Sequence, residues 1–545
     1  MAPLSSYDIE AVIDFYNRFA RDRVTNLLSG IDKKKLLIGS AIAATSIGGM
    51  ALGLSALSGA IRKGSEKKRE QKIRGQAEGF IMGKTSAEAK EHQKRILEKL
   101  KNNDNLLIYH GMGSGKTLSS ILAGKQEGLP MTVIGPASLR HNYPKEMGKH
   151  KVNVDLDYYS YHKPPENPET LLDRLLVFDE AHQMGRMQSE RSKYPDIYSG
   201  KKTILMTGTP IRNYPSELIP ILRGLGIPIP RDEASFKKYF IKEVKKYPSL
   251  VARLKGVEPG VERHGKNLDL ILNAVKGKVD YHEERSDEYP DVNEEDINVE
   301  MSKRQYKTYS EMAKGYPSLA YKIKHGLPPS KSESRRLNAF MSSSRQISNT
   351  PVAFNLSASE EDEPKINRAV EEILRRIDED KNYRGITYSN YLSSGLNPIS
   401  RRLTVANIPH ARFTGELSNK EKDKIINDYN TGKILHLLVS SAGSEGLDLK
   451  GTKLMQILEP HWHKPKLDQV KARAIRIGSH SHLPEGERVV NIQNFLAVPP
   501  KKILGKRPGG ADEYLSMLSE SKDKLNQEFL DILRKASNGG YNEAK

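Results

Sequence analysis

The chain contains no cysteine. Disulfides, thiolate metal sites and cysteine nucleophiles are therefore excluded. The absence is compatible with a reducing compartment without proving one. Tryptophan is almost as scarce, with Trp462 the single example, and aromatic residues make up only 7%. The 15 histidines show no paired spacing of a zinc site. Acidic charge is in deficit: 68 Asp and Glu face 87 Lys and Arg, leaving a formal net charge of +19. Such a surplus favours a polyanionic partner, either nucleic acid or an acidic membrane surface. A basic surface that serves solubility explains the same composition.

One stretch has no charge of either sign. Residues 36–61, LLIGSAIAATSIGGMALGLSALSGAI, would cover roughly 39 Å as a helix, enough to span a bilayer with tilt. Sixteen of these 26 residues are Gly, Ala, Ser or Thr, so the drive into lipid is weak for the length. The same composition suits close helix packing, with Gly49 and Gly53 at the small-residue spacing. A membrane segment is the expectation, with a buried or self-associating helix as the competing reading. Asp8, Glu10 and Asp14 precede the run, which argues against a cleaved signal peptide. Lysines 33–35 lie before it and Arg62 and Lys63 after it, so flanking charge sets no orientation.

With 545 residues the chain is too long for one core and predicts three or four units. Residues 1–80 read as an N-terminal helical region with the apolar run and a basic linker. From about residue 80, apolar strands alternate with helical stretches: LLIYH at 106–110, MTVIG at 131–135, LLVFD at 175–179 and TILMT at 203–207. A second set comprises GITYS at 385–389, HARFTG at 410–415, HLLVSS at 436–441, LMQIL at 454–458 and VVNIQNFL at 489–496. This is the α/β pattern of parallel sheets with sites at the strand C-terminal ends. The expected organisation is a first lobe at 81–225, a helical insertion and linker at 226–365, a second lobe at 366–500 and a helical tail at 501–545.

Gly111-Met112-Gly113-Ser114-Gly115-Lys116-Thr117 follows LLIYH and precedes a helical run, as a phosphate-binding loop does. Glycines let backbone N–H groups face the phosphates, and the helix N-terminus adds its positive end. Lys116 would contact the β- and γ-phosphates of ATP, and the Thr117 hydroxyl would bind Mg2+. Asp179-Glu180-Ala181-His182, a DEAH box, follows a second apolar strand. Asp179 would hold Mg2+, and Glu180 would act as the general base for the attacking water. A lone acidic pair is ordinarily a solvated loop; its position after a buried strand, downstream of the phosphate loop, favours the chemical reading.

These motifs resemble the helicase superfamily 2 ATPases, and more narrowly their Swi/Snf-type branch. The resemblance implies two RecA-like lobes and places Gln93 on the adenine. It makes Ser138 and Arg140, in Pro136-Ala137-Ser138-Leu139-Arg140, contacts to the nucleic-acid backbone. Asn142-Tyr143 stands where the branch usually has Asn-Trp, so Tyr143 is a departure. Thr207-Gly208-Thr209-Pro210 resembles the motif that couples hydrolysis to strand contact, with Thr207 and Thr209 on nucleic acid. In the second half, Ser440–Leu449 resembles motif V, which implies nucleotide contacts at Gly446 and Asp448 and a nucleic-acid contact at Ser441. Thr414 and Trp462 are further implied nucleic-acid contacts, although Trp462 could equally be an interface anchor. Gln469, Arg473 and Arg476 match motif VI, with the two arginines as fingers reaching the γ-phosphate.

A narrower likeness lies in Ile475–His480, Leu483-Pro484 and Arg488–Val490, and in the tail at Asp512–Leu515, Lys522, Phe529 and Leu533. These resemble viral ATPases related to poxvirus nucleoside triphosphatase I and the small subunit of the early transcription factor. The implied function is an ATP-dependent nucleic-acid motor, a translocase or helicase on duplex DNA. Viral transcription machinery is the implied partner, and the virion or host cytoplasm the implied location. Two alternatives stand beside it: a motor tethered to a membrane through 36–61, and a scaffold with a decayed catalytic site.

Overall fold

Short apolar runs between polar loops become fully buried strands where helices cover both faces of a parallel sheet. The computed structural model describes residues 89–537 except 112, 284–288, 356, 442–447, 463, 477 and 502–506. Its first sheet contains β1 (Asn105–His110), β2 (Met131–Gly135), β3 (Leu156–Ser160), β4 (Leu175–Asp179), β5 (Lys202–Thr207) and, much later in sequence, β8 (Val279–His282). The order is β3-β2-β4-β5-β1-β8, with every pair parallel. β2 and β4 are buried at every position.

Three helices of this lobe matter to the site: α1 (Glu91–Asn102), α2 (Lys116–Glu127) and α3 (Asn142–His150). Gly115 at φ 77° starts α2 and Gly128 at φ 63° ends it, both left-handed. Leu118, Ile121 and Leu122 of α2 pack with Ile108, Val133 and Val177 of the strands beneath.

The second sheet holds β9 (Asp291–Glu300), β10 (Gly385–Ser389), β11 (His410–Phe413), β12 (His436–Ser440), β13 (Leu454–Ile457) and β14 (Val489–Val498). It too is all parallel, ordered β11-β12-β10-β13-β14-β9. Two α/β lobes with parallel sheets are therefore present. The stretch 226–365, expected to be a helical insertion, departs from that expectation. It supplies β8 to the first sheet and β9 to the second, and forms an antiparallel hairpin from β6 (Ile241–Lys246) and β7 (Gly260–Gly265). β9 escapes an apolar-run reading because it is a largely exposed edge strand, DVNEEDINVE, whose charges discourage further pairing.

The tail forms one long helix, Ala511–Ser537. Its first half, with Ala511, Tyr514 and Leu515, packs in a cluster with Met301, Phe340 and Ala497. Its second half, with Leu525, Phe529, Leu530 and Leu533, belongs to the core of the first lobe beside Phe236 and Ile271. At consecutive residues, Lys522 donates to Asn213 Oδ1, while Asp523 pairs with Lys464 at 3.2 Å. Lys464 opens the helix Lys464–Ala474 that carries Gln469 and Arg473.

Among the described residues, no helix is long and apolar enough to cross a membrane. Residues 36–61, where the membrane segment is expected, lie outside the described residues.

Candidate active site

The phosphate loop emerges from β1 and turns into α2, with Gly113 at φ 82° and Gly115 at φ 77°. A Cβ on Gly115 would lie 3.1 Å from Gln93 Nε2, so Gln93 rests directly on the loop. Gln93 is buried, and its Oε1 accepts from Lys90 N–H at 3.0 Å. Lys116 Nζ donates to the carbonyls of His110 and Gly111 at 3.1 and 2.9 Å. Burial lowers the Lys116 pKa, and the nearby Glu180 and Asp179 charges oppose that shift.

Asp179 ends β4 with its side chain buried. Its Oδ1 accepts from Glu180 N–H at 3.0 Å and its Oδ2 from Tyr143 O–H at 3.2 Å. Burial and the adjacent Glu180 charge push its carboxyl from 3.8 up to about 6. Glu180 adopts φ 52°, a left-handed conformation costing a non-glycine residue ~1 kcal/mol or more. Burial raises the Glu180 pKa, but His182, Lys116 and Arg212 outweigh it and hold the group below its ordinary value. His182 Nδ1 lies 3.2 Å from Glu180 Oε2 and 2.8 Å from Thr207 Oγ1. Thr207 Oγ1 also accepts from Thr209 N–H at 3.1 Å. A continuous polar line thus runs from Glu180 through His182 and Thr207 to Thr209, which is exposed.

Thr207 corrects the sequence reading. The motif resemblance places it on nucleic acid, yet it is fully buried and its hydroxyl is engaged by His182 and Thr209. As the last residue of β5 it faces the lobe interior. Ser138 and Arg140 are exposed on the short turn after β2, and Arg140 lies over the Tyr158 ring at 5.7 Å. In the second lobe Thr414 and Ser441 follow β11 and β12 and are half-buried. Trp462 is half-buried against the cluster containing Phe340 and Tyr514. Arg473 lies on the helix Lys464–Ala474, one turn from Gln469. Arg476 pairs at 3.0 Å with Asp448, which is exposed. Met112 and Gly446 fall outside the described residues.

A second network escapes sequence reading. Asp280 on β8 is fully buried and receives Arg95 Nε at 2.6 Å, Lys99 Nζ at 3.0 Å and His110 Nε2 at 2.7 Å. His92, beside Gln93, stacks on His282 at 4.0 Å and reaches the Ser114 carbonyl at 2.8 Å. This network braces the back of the phosphate loop. Arg95 and Asp280 alone lie 185 residues apart, and no local pattern connects the members.

Among the described residues, no group of three His, Asp or Glu side chains could hold a metal by itself. One carboxylate, at Asp179, and one hydroxyl, at Thr117 in the loop, suit Mg2+, which takes its remaining oxygens from phosphates and water.

Residues 169–353 match the SNF2-related domain family, and residues 365–478 match the helicase conserved C-terminal domain family. The chain is 32% identical over 468 residues to a protein of Acanthamoeba polyphaga mimivirus described as "Putative ATP-dependent RNA helicase", covering 82% of this chain and 97% of that one. It is 27% identical over 562 residues to the termination factor NPH-I homolog of African swine fever virus (isolate Warthog/Namibia/Wart80/1980), covering 80% and 76%. A shorter match, 28% over 149 residues, covers 26% of this chain and 22% of nucleoside triphosphatase I of Choristoneura biennis entomopoxvirus. Both domain families occur in order, the first of them containing the acidic pair Asp179-Glu180, and nearly the whole of one relative is matched. The chain therefore belongs to the superfamily 2 helicase-like ATPases of the Swi/Snf-type branch, alongside these viral relatives, and it hydrolyses ATP.

Proposed function

We propose that this ATPase is a motor stimulated by nucleic acid, with duplex DNA as its track, and that it serves viral transcription. The observation that carries the reading is the polar line from Glu180 through His182 and Thr207 to the exposed Thr209. It joins the group suited to activating water to a residue at the lobe surface. In this reading the phosphates of ATP lie on Gly111–Thr117 with adenine at Gln93. Glu180 takes a proton from the attacking water as the bond between the γ-phosphorus and its bridging oxygen breaks. Mg2+ on Thr117 and Asp179 would neutralise phosphate charge. Arg473 and Arg476 approach the γ-phosphate when the lobes close, and Asp448 releases Arg476 to do so. In this reading Gly446 and Asp448 contribute nucleotide contacts from the second lobe, and Ser441 belongs with the nucleic-acid contacts.

Ser138, Arg140, Thr209, Thr414 and Trp462 contribute the nucleic-acid surface. Contact with the phosphate backbone needs little base specificity and weakens as salt rises. The viral transcription role rests on the African swine fever virus relative, whose name denotes a termination factor. The test is ATP turnover titrated separately with duplex DNA, single-stranded DNA and RNA at two salt concentrations. Duplex DNA is expected to raise turnover most, with the effect falling at high salt. Stimulation by RNA alone would reassign the track, and no response to any of the three would sink the motor reading.

A further inference from the structure

Tyr143 brings a hydroxyl into a fully buried position. Its ring is 0% exposed, and its O–H donates to Asp179 Oδ2 at 3.2 Å. The Tyr158 ring packs edge-on against it at 5.6 Å. Tyr158 O–H donates to the Pro136 carbonyl at 2.7 Å, and the Tyr158 carbonyl accepts from Arg140 Nη2 at 2.7 Å. The Arg140 guanidinium also lies over the Tyr158 ring. Gly135 leaves the room for this arrangement. A Cβ there would come within 2.6 Å of Tyr158 Oη and 3.1 Å of Asp179 Cβ. A third tyrosine, Tyr161, fixes the backbone end by donating to the Asp179 carbonyl at 2.9 Å.

The chain of contacts Arg140–Tyr158–Tyr143–Asp179 is therefore short, mostly buried and built of rigid rings. One end is an exposed arginine on a surface turn, and the other is a buried carboxylate in the nucleotide site. We propose that Tyr143 is a positioning residue through which backbone contact at Ser138 and Arg140 is transmitted to the Asp179 carboxylate. This rests on the functional reading above, in which that turn meets nucleic acid and Asp179 faces the cation. When a phosphate group draws the Arg140 guanidinium off the Tyr158 ring, the ring shifts and Tyr143 re-aims Asp179. Two tied elements with two arrangements are the physical requirement for such coupling, beyond mere adjacency.

The experiment uses the full chain with a non-hydrolysable ATP analogue and Mn2+ as the probe, with free Mn2+ measured by electron paramagnetic resonance, with and without a short DNA duplex. In the unaltered protein the duplex should tighten Mn2+ binding by about fivefold or more, and by linkage Mn2+ should tighten the duplex equally. Tyr143→Phe removes only the hydroxyl and preserves the ring, and Tyr158→Phe cuts the link to Pro136. Each variant should bind duplex as the unaltered chain does when nucleotide and metal are absent, measured by fluorescence anisotropy. Each should lose the duplex effect on Mn2+. A purely structural Tyr143 would leave that effect intact, so its persistence in Tyr143→Phe overturns the proposal. So does a duplex that binds the unaltered chain without changing its Mn2+ affinity. A chain that binds no nucleic acid overturns this proposal and the functional reading together.

Discussion

In the first lobe the groups around the phosphate loop are buried and mutually tied: Lys116 to two loop carbonyls, Glu180 to His182, and His182 to Thr207. In the second lobe Arg476 is about half exposed and paired with a still more exposed Asp448. The two lobes share a sheet plan and differ in how their charges are satisfied. The contrast implies an order of assembly. The first lobe has its groups in place, while the second holds a cation in an exposed pair that is cheap to exchange.

The largest expected effects separate the two cations. Lys116→Ala should lower ATP turnover by roughly 10³-fold and weaken nucleotide binding with it. Arg476→Ala should lower turnover by about 10³-fold while leaving nucleotide affinity within about twofold if, as proposed, its contact forms only in the closed state. Equal losses of nucleotide affinity, measured by calorimetry, would erase the distinction between the lobes. Next in size, Thr207→Val should destabilise the protein by about 1–2 kcal/mol in denaturant unfolding, since it removes the acceptor of the Thr209 N–H and one of the two partners of His182 Nδ1. No change would mean that water replaces the hydroxyl.

The Asp179 carboxyl gives a pH test. Its folded value, about 6, lies above its ordinary 3.8. Between those values the folded state binds the proton more tightly, so this group's contribution favours folding at low pH and is lost as pH rises toward 6. Asp179→Asn lacks that penalty. Its thermal stability relative to the unaltered chain should increase between about pH 4 and pH 6 and level off above. A pH-independent difference would show that the carboxyl titrates normally. The smallest effect belongs to Asp448→Ala. Losing an exposed pair should change stability by less than about 1 kcal/mol. If the variant unfolds substantially earlier, Arg476 is a structural anchor, and the second lobe is less free than its exposure suggests.

Local sequence is enough to locate β1, β2, β4 and β5, because each is a buried apolar run ending in a polar turn. The loop Gly111–Thr117 and the pair Asp179-Glu180 lie at the ends of such runs, so their juxtaposition follows from a parallel sheet. β3 and β8 escape that reading because LDYYS and VDYH are short and mixed in polarity. β9 escapes it because its alternation is mostly between acidic and small polar residues. The motif around Thr207 points to the surface, whereas the pleat turns that residue inward. The Tyr143 hydroxyl shows in sequence only as a substitution. Its partner, Asp179, becomes evident only once α3 is laid against β4. Asp280 has no local signal at all, since its three partners, the cations Arg95 and Lys99 and the imidazole of His110, come from α1 and β1, far away in the chain.

The helix Ala511–Ser537 carries a mechanical consequence. As a continuous rod of about 40 Å, it is seated at one end by its Tyr514 and Leu515 against Phe340 and Ala497, and at the other by its Phe529 and Leu533 against Phe236 and Ile271. Pulling either end free exposes several large apolar side chains, each costing about 1.5–3 kcal/mol. Its buried Asp512–Lys365 pair resists withdrawal further. One rod therefore ties the core of the first lobe to the cluster beside β14. Between its two seats, Lys522 and Asp523 tie the same rod to Asn213 of the first lobe and to Lys464 of the helix that carries Arg473.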